Sequence, residues 1–334
     1  MDADLGANMN RAKKWFVAIG VVTTIICGYL AIRNVSWRDT YHALANVNFG
    51  RLSIAILFLA IGICLSACRW QLLIGRREAR WATVVAALLV GLMVNNILPA
   101  RLGEIARAIF LGTRAELSKV YLVGTVVLDR LMDLAVLIGF ALLLFISASV
   151  FPSFSIGIIV AGGVLFGSGI ILIAVLRCKG VTRIFNFIES RLPAQISQWF
   201  ADTRLQLQLS LVTQRSWQEW IVLVGLSLGV WFFMGVSLFF ALRGFNIDLS
   251  LHRLGILLVV LNLGGLIPSS PGYIGTYHWL AVTTLAAFGV DRNTALGFAL
   301  VNHALWYVPQ ISIGLLILLR MNLNMLSLLK QTKR

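Results

Sequence analysis

Charged residues are scarce in this sequence. Only 12% of its 334 residues are Asp, Glu, Lys or Arg, against about 25% in a soluble domain. That shortfall excludes an ordinary soluble globular protein. Acid is scarcer still, with 13 Asp and Glu against 28 Lys and Arg. Such a surplus can mark a nucleic-acid binder, but that needs a polar folded domain to display it, and none is present. The basic residues instead lie between apolar runs, where they meet anionic headgroups and set topology. No nucleic-acid partner is expected. Cysteine is limited to Cys27, Cys64, Cys68 and Cys178, with no Cys-x-x-Cys and no paired His, so these read as small buried hydrophobes and no metal is expected. The sequence also lacks a phosphate-binding Gly-x-x-x-x-Gly-Lys-Ser/Thr loop, a His-Glu-x-x-His pair and a Gly-x-Ser-x-Gly elbow. Those absences remove an encoded ATP motor, a zinc hydrolase and a serine esterase, and no cofactor is implied.

What is present is apolar. Hydrophobic residues make up 59% of the chain, in runs of about 18 residues or more, long enough to cross a ~30 Å hydrocarbon core as helix. The runs are Trp15–Ile32, Leu52–Ile74, Trp81–Leu98 with Ala100–Gly112, Val120–Val150, Ile156–Leu176, Trp220–Leu242, Leu254–Ile267 with Ile274–Phe288, and Ala295–Leu319. The first follows Arg11, Lys13 and Lys14 and reads as an uncleaved span rather than a signal peptide. Basic residues then fix the topology. If every run crossed once, the 177–218 segment, with Arg177, Lys179, Arg183, Arg191, Arg204 and Arg215, would fall outside. If Trp81–Gly112 and Leu254–Phe288 each enter and turn back, 19 basic residues lie inside and six outside. The expectation is therefore one all-α polytopic membrane bundle over 1–334, with about six full spans and two opposed re-entrant helical hairpins. Residues 1–14, 177–218 and 321–334 are expected in the cytoplasm, at the cell membrane. Trp15, Trp70, Trp81, Trp220 and Trp306 fall near run ends, as interfacial belts require. Gly163 and Gly167 allow a close helix contact.

Three polar clusters interrupt the apolar pattern. In Asn95-Asn-Ile-Leu-Pro-Ala-Arg-Leu-Gly-Glu-Ile-Ala-Arg107, Pro99 breaks the helix. Arg101, Glu104 and Arg107 then share a face, with Asn96 beside the break. Two arginines around one carboxylate suit a phosphate, and ionisable groups within a membrane segment are expensive and usually functional. Asp129-Arg130-x-x-Asp133 sets two carboxylates at i,i+4, able to pair with the arginines of the first cluster, to relay protons, or simply to pin helices together. The third, Pro268-Ser-Ser-Pro-Gly-Tyr-Ile-Gly-Thr-Tyr-His278, has the prolines and glycines of a re-entrant tip. Ser269, Ser270, Gly272, Gly275 and His278 could meet a headgroup there. Asn262, Asn302 and His303 read as interhelical hydrogen bonds.

These motifs resemble the lysylphosphatidylglycerol synthase transmembrane-region family, also called flippase-like, over nearly the whole chain. Its Asn-x-x-x-Pro-x-Arg-x-Gly-Glu-x-x-Arg stretch stands at Asn95 to Arg107. Its Glu-Arg-x-x-Asp appears as Asp129-Arg130-x-x-Asp133. In its Pro-x-x-Pro-Gly-Gly-x-Gly-x-x-Glu, Tyr273 replaces a Gly and His278 replaces the Glu. The resemblance implies movement of a lipid or lipid-linked phosphate headgroup between leaflets, of aminoacyl-phospholipid or polyprenyl-phosphate type. Members that make the aminoacyl lipid carry a soluble transferase domain that this sequence lacks, so transport rather than synthesis is implied. A membrane-embedded transferase on a lipid carrier, or a non-catalytic partner of a glycosyltransferase or lipid-modifying enzyme, are the other classes the residues allow.

Overall fold

The computed structural model describes residues 20–75, 79–98, 102–147, 163–171, 194–212, 215–267 and 269–321, with 160, 174, 189 and 191. They are helical, with no strand among them. Pro99, Ala100, Arg101, Pro268, Cys178, the 1–14 segment and the 322–334 tail lie outside the described residues. The helices are α1 Gly20–Ile32, α2 Trp37–Ala45, α3 Phe49–Ile74, α4 Trp81–Ile97, α5 Gly103–Ala115, α6 Lys119–Ser147, α7 Ala194–Val212, α8 Trp217–Gly244, α9 Leu251–Leu263, α10 Thr276–Ala287 and α11 Arg292–Arg320. α3, α8 and α11 are long and apolar enough to cross a membrane. Two helices were not anticipated. α2 is a short amphipathic helix with Trp37 and Tyr41 exposed, and α7 packs along α6 within the polar 177–218 segment.

Polar caps start most helices. Asn48 accepts from Arg51 N, Ser250 accepts from Arg253 N, and Asp291 accepts from the N–H groups of Asn293 and Thr294. Ser216 and Glu219 form a reciprocal capping box on α8. Each such contact satisfies a donor that the first turn leaves unpaired.

Contacts between helix ends sort the bundle into two ends. At one, Tyr121 Oη donates to Ile74 O, and Arg215 donates to Leu72 O and Leu73 O. Gln71 donates to Ala79 O and Arg114 to Met321 O. This end gathers the C-termini of α3, α5 and α11 with the N-termini of α4, α6 and α8. At the other end Asn48 N donates to Gly244 O, Arg253 to Phe288 O, and Arg292 to Leu30 O. His252 Nε2 lies 3.1 Å from Leu144 O there. Thus α4 and α5 have both feet at the first end, and α9 and α10 have both feet at the second. Each pair is a helical hairpin broken at its tip.

Small residues let the hairpins pack. A Cβ on Gly103 would fall on the carbonyl oxygen of Gly91, so α4 and α5 touch through glycine. The second tip lies along α1: Ser270 N donates to Thr24 Oγ1 at 2.9 Å, and a Cβ on Gly275 would come 2.5 Å from Thr24 O. Gly272 and Gly275 have φ of +77° and +86°, which favour glycine.

Some expectations fail. Trp70 is fully buried, not interfacial, because its indole donates to Thr125 Oγ1 and its ring supports Arg107. Trp306 faces an internal cavity. Cys64 is exposed on the apolar outside of α3. Gly163 and Gly167 meet nothing among the described residues, whereas Gly169 abuts Leu131.

Gly103→Ala should lower stability by about 1–3 kcal/mol through overpacking, read as a fall in the thermal midpoint in detergent. Gly139→Ala, where a Cβ meets nothing within 4 Å, should be neutral or slightly stabilising.

Candidate functional site

Each tip ends helices inside the bundle, where their backbone groups need partners. Leu102, at the start of α5, offers no side-chain cap. Asn95 of α4 supplies one instead: its Oδ1 accepts from Gly103 N at 2.7 Å, while its Nδ2 donates to Glu104. At the other tip His278 Nδ1 accepts from Gly275 N at 3.4 Å. α11 holds both tips together. Asn96 Nδ2 donates to Gln310 Oε1, Tyr307 Oη donates to Asn96 O, and His303 Nε2 lies 2.9 Å from Gly272 O.

Beneath the first tip lies an ion network of six residues. Arg69 of α3 reaches Asp129 and Asp133 of α6, both at 2.8 Å. Arg107 of α5 reaches Glu104 at 2.8 Å and Asp129 at 3.0 Å. Arg130 reaches Asp129 at 3.2 Å, Asp133 at 3.1 Å and Glu104 at 3.4 Å. Asp129 has no exposed surface and is met by three guanidinium groups. Among the described residues, three arginines against three carboxylates leave the network formally neutral. Neutrality is what burial demands, since an unpaired charge in a low-dielectric interior is prohibitive. Arg69 Nη1 also donates to Ser227 Oγ of α8, so four helices share the network.

A cavity of about 290 Å³ lies between the tips. One wall carries Glu104, Arg130 and Asp133, with Asn95 and Asn96. The facing wall carries Tyr273, Thr276, Tyr277, Asn302, His303, Trp306, Tyr307 and Gln310. Leucines of α6, α8 and α9, with Trp231 and Met234, close the sides. Arg130 is the one cation among the described lining residues, and its side chain is 35% exposed.

The sequence clusters therefore converge, but unequally. Asn96, Glu104, Arg130 and Asp133 reach the cavity. Arg107 and Asp129 stand behind its wall, ion-paired to each other, with Arg107 Nε and Nη1 buried and without a hydrogen-bond partner. Gly272 and Gly275 shape the second tip, and Ser270 ties it to α1. Ser269 Oγ is buried with no hydrogen-bond partner. His278 is buried under the tip, its ring 4.9 Å from that of His303. Arg101 lies outside the described residues. Arg69 went unrecognised. Its signal was present, because Asp129 and Asp133 on one helix face exceed the single Arg130 between them. Asn262, Asn302 and His303 all line the cavity; Asn302 and His303 make the hydrogen bonds between elements expected of them, whereas Asn262 bonds only to Leu258 O of its own helix. No group of three or more His, Cys, Asp or Glu able to hold a metal exists among the described residues.

The family model described as lysylphosphatidylglycerol synthase TM region matches residues 16–314. The chain belongs to this family. Two similar proteins come from Methanocaldococcus jannaschii. The UPF0104 membrane protein MJ1595 is 24% identical over 284 residues, covering 79% of this chain and 82% of the relative. The UPF0104 membrane protein MJ1078 is 24% identical over 245 residues, covering 72% of this chain and all of the relative. No solved structure matches. Family and apolar helices together make this lysylphosphatidylglycerol synthase TM-region protein a membrane protein, and the family name points to a lipid-related role.

Asp129→Leu would leave three guanidinium groups sharing two carboxylates, Glu104 and Asp133. It should cost about 3–5 kcal/mol, the usual penalty for breaking a buried pair, measured as a lowered unfolding midpoint in detergent. Asp133→Asn, with 13% of the side chain exposed, should cost clearly less.

Proposed function

We propose that this protein is a translocase that moves a phosphate-bearing lipid headgroup between leaflets of the cell membrane. The observation that carries the reading is the cavity between two broken-helix tips, with Arg130 on its wall. Discontinuous helices with a site at their junction are a recurrent transporter design. Irregular backbone at membrane depth is tolerated where protein buries it or a cavity adjoins it. Here Asn95, Thr24 and His278 bury it and the cavity adjoins it.

In this reading α1, α3, α6, the helix containing 163–171, α8 and α11 cross the bilayer. The α4–α5 hairpin enters from the cytoplasm and the α9–α10 hairpin from outside. The lengths agree. α5, α9 and α10 have 13, 13 and 12 residues, about 18–20 Å at 1.5 Å per residue, short of a ~30 Å core. Both termini are then cytoplasmic.

The phosphate meets Arg130, whose guanidinium can turn from its carboxylates to a phosphate oxygen. Arg69 and Arg107 stay behind the wall and hold Asp129, which helps to fix Arg130. The N-termini of α5 and α10 both begin at the tips, and a helix start favours an anion. The headgroup sits in the cavity while the acyl chains stay outside in lipid. Each carboxylate of the network is tied to arginine, which suits holding a headgroup better than abstracting a proton.

Purified protein in liposomes with labelled anionic lipid tests the activity. Arg130→Gln should cut translocation at least about tenfold, the loss of one charge-assisted bond. The thermal midpoint of the variant separates lost binding from lost fold. Unchanged translocation would overturn the assignment.

The topology has its own test, in a background lacking the native cysteines. A cysteine at Glu116 should react with an impermeant maleimide from the cytoplasmic face, and one at Leu251 from the outer face. The reverse pattern means that the first hairpin crosses or that the bundle is inserted the other way up, and either result overturns this topology.

A further inference from the structure

The network wall is electrically closed. Glu104 is bound by Arg107 and Arg130, and Asp133 by Arg69 and Arg130. A headgroup bearing an ammonium would find no carboxylate without an arginine on it. The opposite wall is built for a different partner. Asn302 is 3% exposed and Gln310 5%, yet both line the cavity and both keep an unused amide atom. Asn302 Nδ2 donates to Tyr277 Oη at 2.6 Å, which leaves Asn302 Oδ1 without a partner. Gln310 Oε1 accepts from Asn96 Nδ2, which leaves Gln310 Nε2 and Asn96 Oδ1 unused. Asn262 Nδ2 donates to Leu258 O of its own helix, which leaves its Oδ1 free. The Tyr277 hydroxyl accepts from Asn302 and has a proton left to donate. These polar atoms sit around rings: Tyr277, His303 and Tyr307 follow one another at centroid distances of 4.9 and 4.3 Å.

Unused neutral donors and acceptors in a buried wall cost stability unless something satisfies them. Water can do so in the resting protein. A ligand that replaces that water must present several hydroxyl groups at close spacing and an apolar face to the rings. A ring polyol has both: equatorial hydroxyls to meet amides and C–H faces to lie on aromatic surfaces. The volume agrees with a headgroup rather than a whole lipid, since about 290 Å³ lies at the lower edge of small-molecule sites.

We propose that the cavity selects a lipid whose phosphate carries a hydroxylated ring, a sugar or a cyclitol, read by Asn262, Asn302, Gln310 and Tyr277. This rests on the translocase reading for its purpose, but its test reads binding alone.

The full chain in detergent is titrated with short-chain lipids while the thermal midpoint is followed. Dioctanoyl phosphatidylinositol represents the cyclitol, and a ten-carbon prenyl phosphoglucose represents the sugar. Dioctanoyl phosphatidylglycerol, phosphatidylethanolamine and phosphatidic acid represent an open-chain diol, an ammonium and a bare phosphate. At least one ring lipid should half-saturate at a concentration at least about tenfold below those of the other three, a hydrogen bond or two in worth. Which ring lipid leads decides between the two sources. Asn262→Leu and Asn302→Leu should each erode that preference while leaving the response to phosphatidic acid in place. Asn262 bonds only within its own helix, so it guards against a folding defect at Asn302. Equal or tighter binding of phosphatidylethanolamine, a preference unchanged in both variants, or no shift with any lipid overturns the proposal. A ring preference without translocation in liposomes would sink the function and spare the ligand class. Translocation without a ring preference would do the reverse.

Discussion

Asp129 is a carboxylate with no access to solvent, and the interior of the bundle is arranged around that fact. A lone buried carboxylate would take up a proton or unfold the site. Here Arg69, Arg107 and Arg130 converge on it from α3, α5 and its own helix. Each brings excess positive charge, which Glu104 and Asp133 balance. Charge neutrality thus binds three helices by arithmetic as much as by contact, and Ser227 adds a fourth. The first hairpin cannot shift without pulling Arg107 and Glu104 from that balance. Its position relative to α6 is fixed by electrostatics, whereas its fit against α4 is fixed by the Gly91–Gly103 approach.

The second constraint is backbone. Four helices stop at the two tips, inside apolar surroundings, and each stop exposes groups that a continuous helix would have satisfied. The chain answers with side chains from elsewhere: Asn95 caps α5, Thr24 of α1 takes Ser270 N, and Tyr307 takes Asn96 O. α1 and α11 are therefore tied to the tips, and motion of either tip would have to exchange these bonds for others. Hydrogen bonds of this kind are individually modest, so such an exchange is within reach of a bound headgroup.

Much of this was legible in the sequence, and the reasons are physical. Apolar runs marked the long helices because a bundle that is hydrophobic all round leaves little else to its exterior. Both helix breaks were legible from Pro99, Pro268 and the glycines near them, since a chain that must turn within apolar surroundings needs those residues. Asn96, Glu104, Arg130 and Asp133 were legible because charge or amide in an apolar run is costly. Arg69 was not. It lies near the end of an apolar run beside Trp70, where a snorkelling residue and an interfacial Trp look the same as a buried pair. Only the excess of acid on α6 distinguishes them, a signal that the sequence holds but that does not say which cation answers it. α7 was hidden because its polar composition carries almost no apolar stripe. The proposed hydroxyl-reading wall was hidden because the amides of Asn96, Asn302 and Gln310, taken alone, are explained by helix–helix hydrogen bonds, and that of Asn262 by a bond within its own helix. It emerges only when the second atom of each amide is counted.

In the translocase we propose, the two cavity walls divide their work in a way that suits passage rather than capture. A site with a net positive charge would hold a phosphate tightly in a low-dielectric interior, and a carrier that cannot release its cargo does not turn over. The neutral network removes that trap. Among the described residues it offers one guanidinium, Arg130, already partly satisfied by three carboxylates, so a phosphate there gains only the difference between new and old partners. Selectivity then has to come from elsewhere. Neutral amides and a phenol supply it, because each of their bonds replaces a bond to water and nets little, while a mismatched headgroup leaves several unmade at once. Weak affinity for the charge and strict accounting for the hydroxyls are compatible demands only when separate walls meet them, and the two opposed tips separate them.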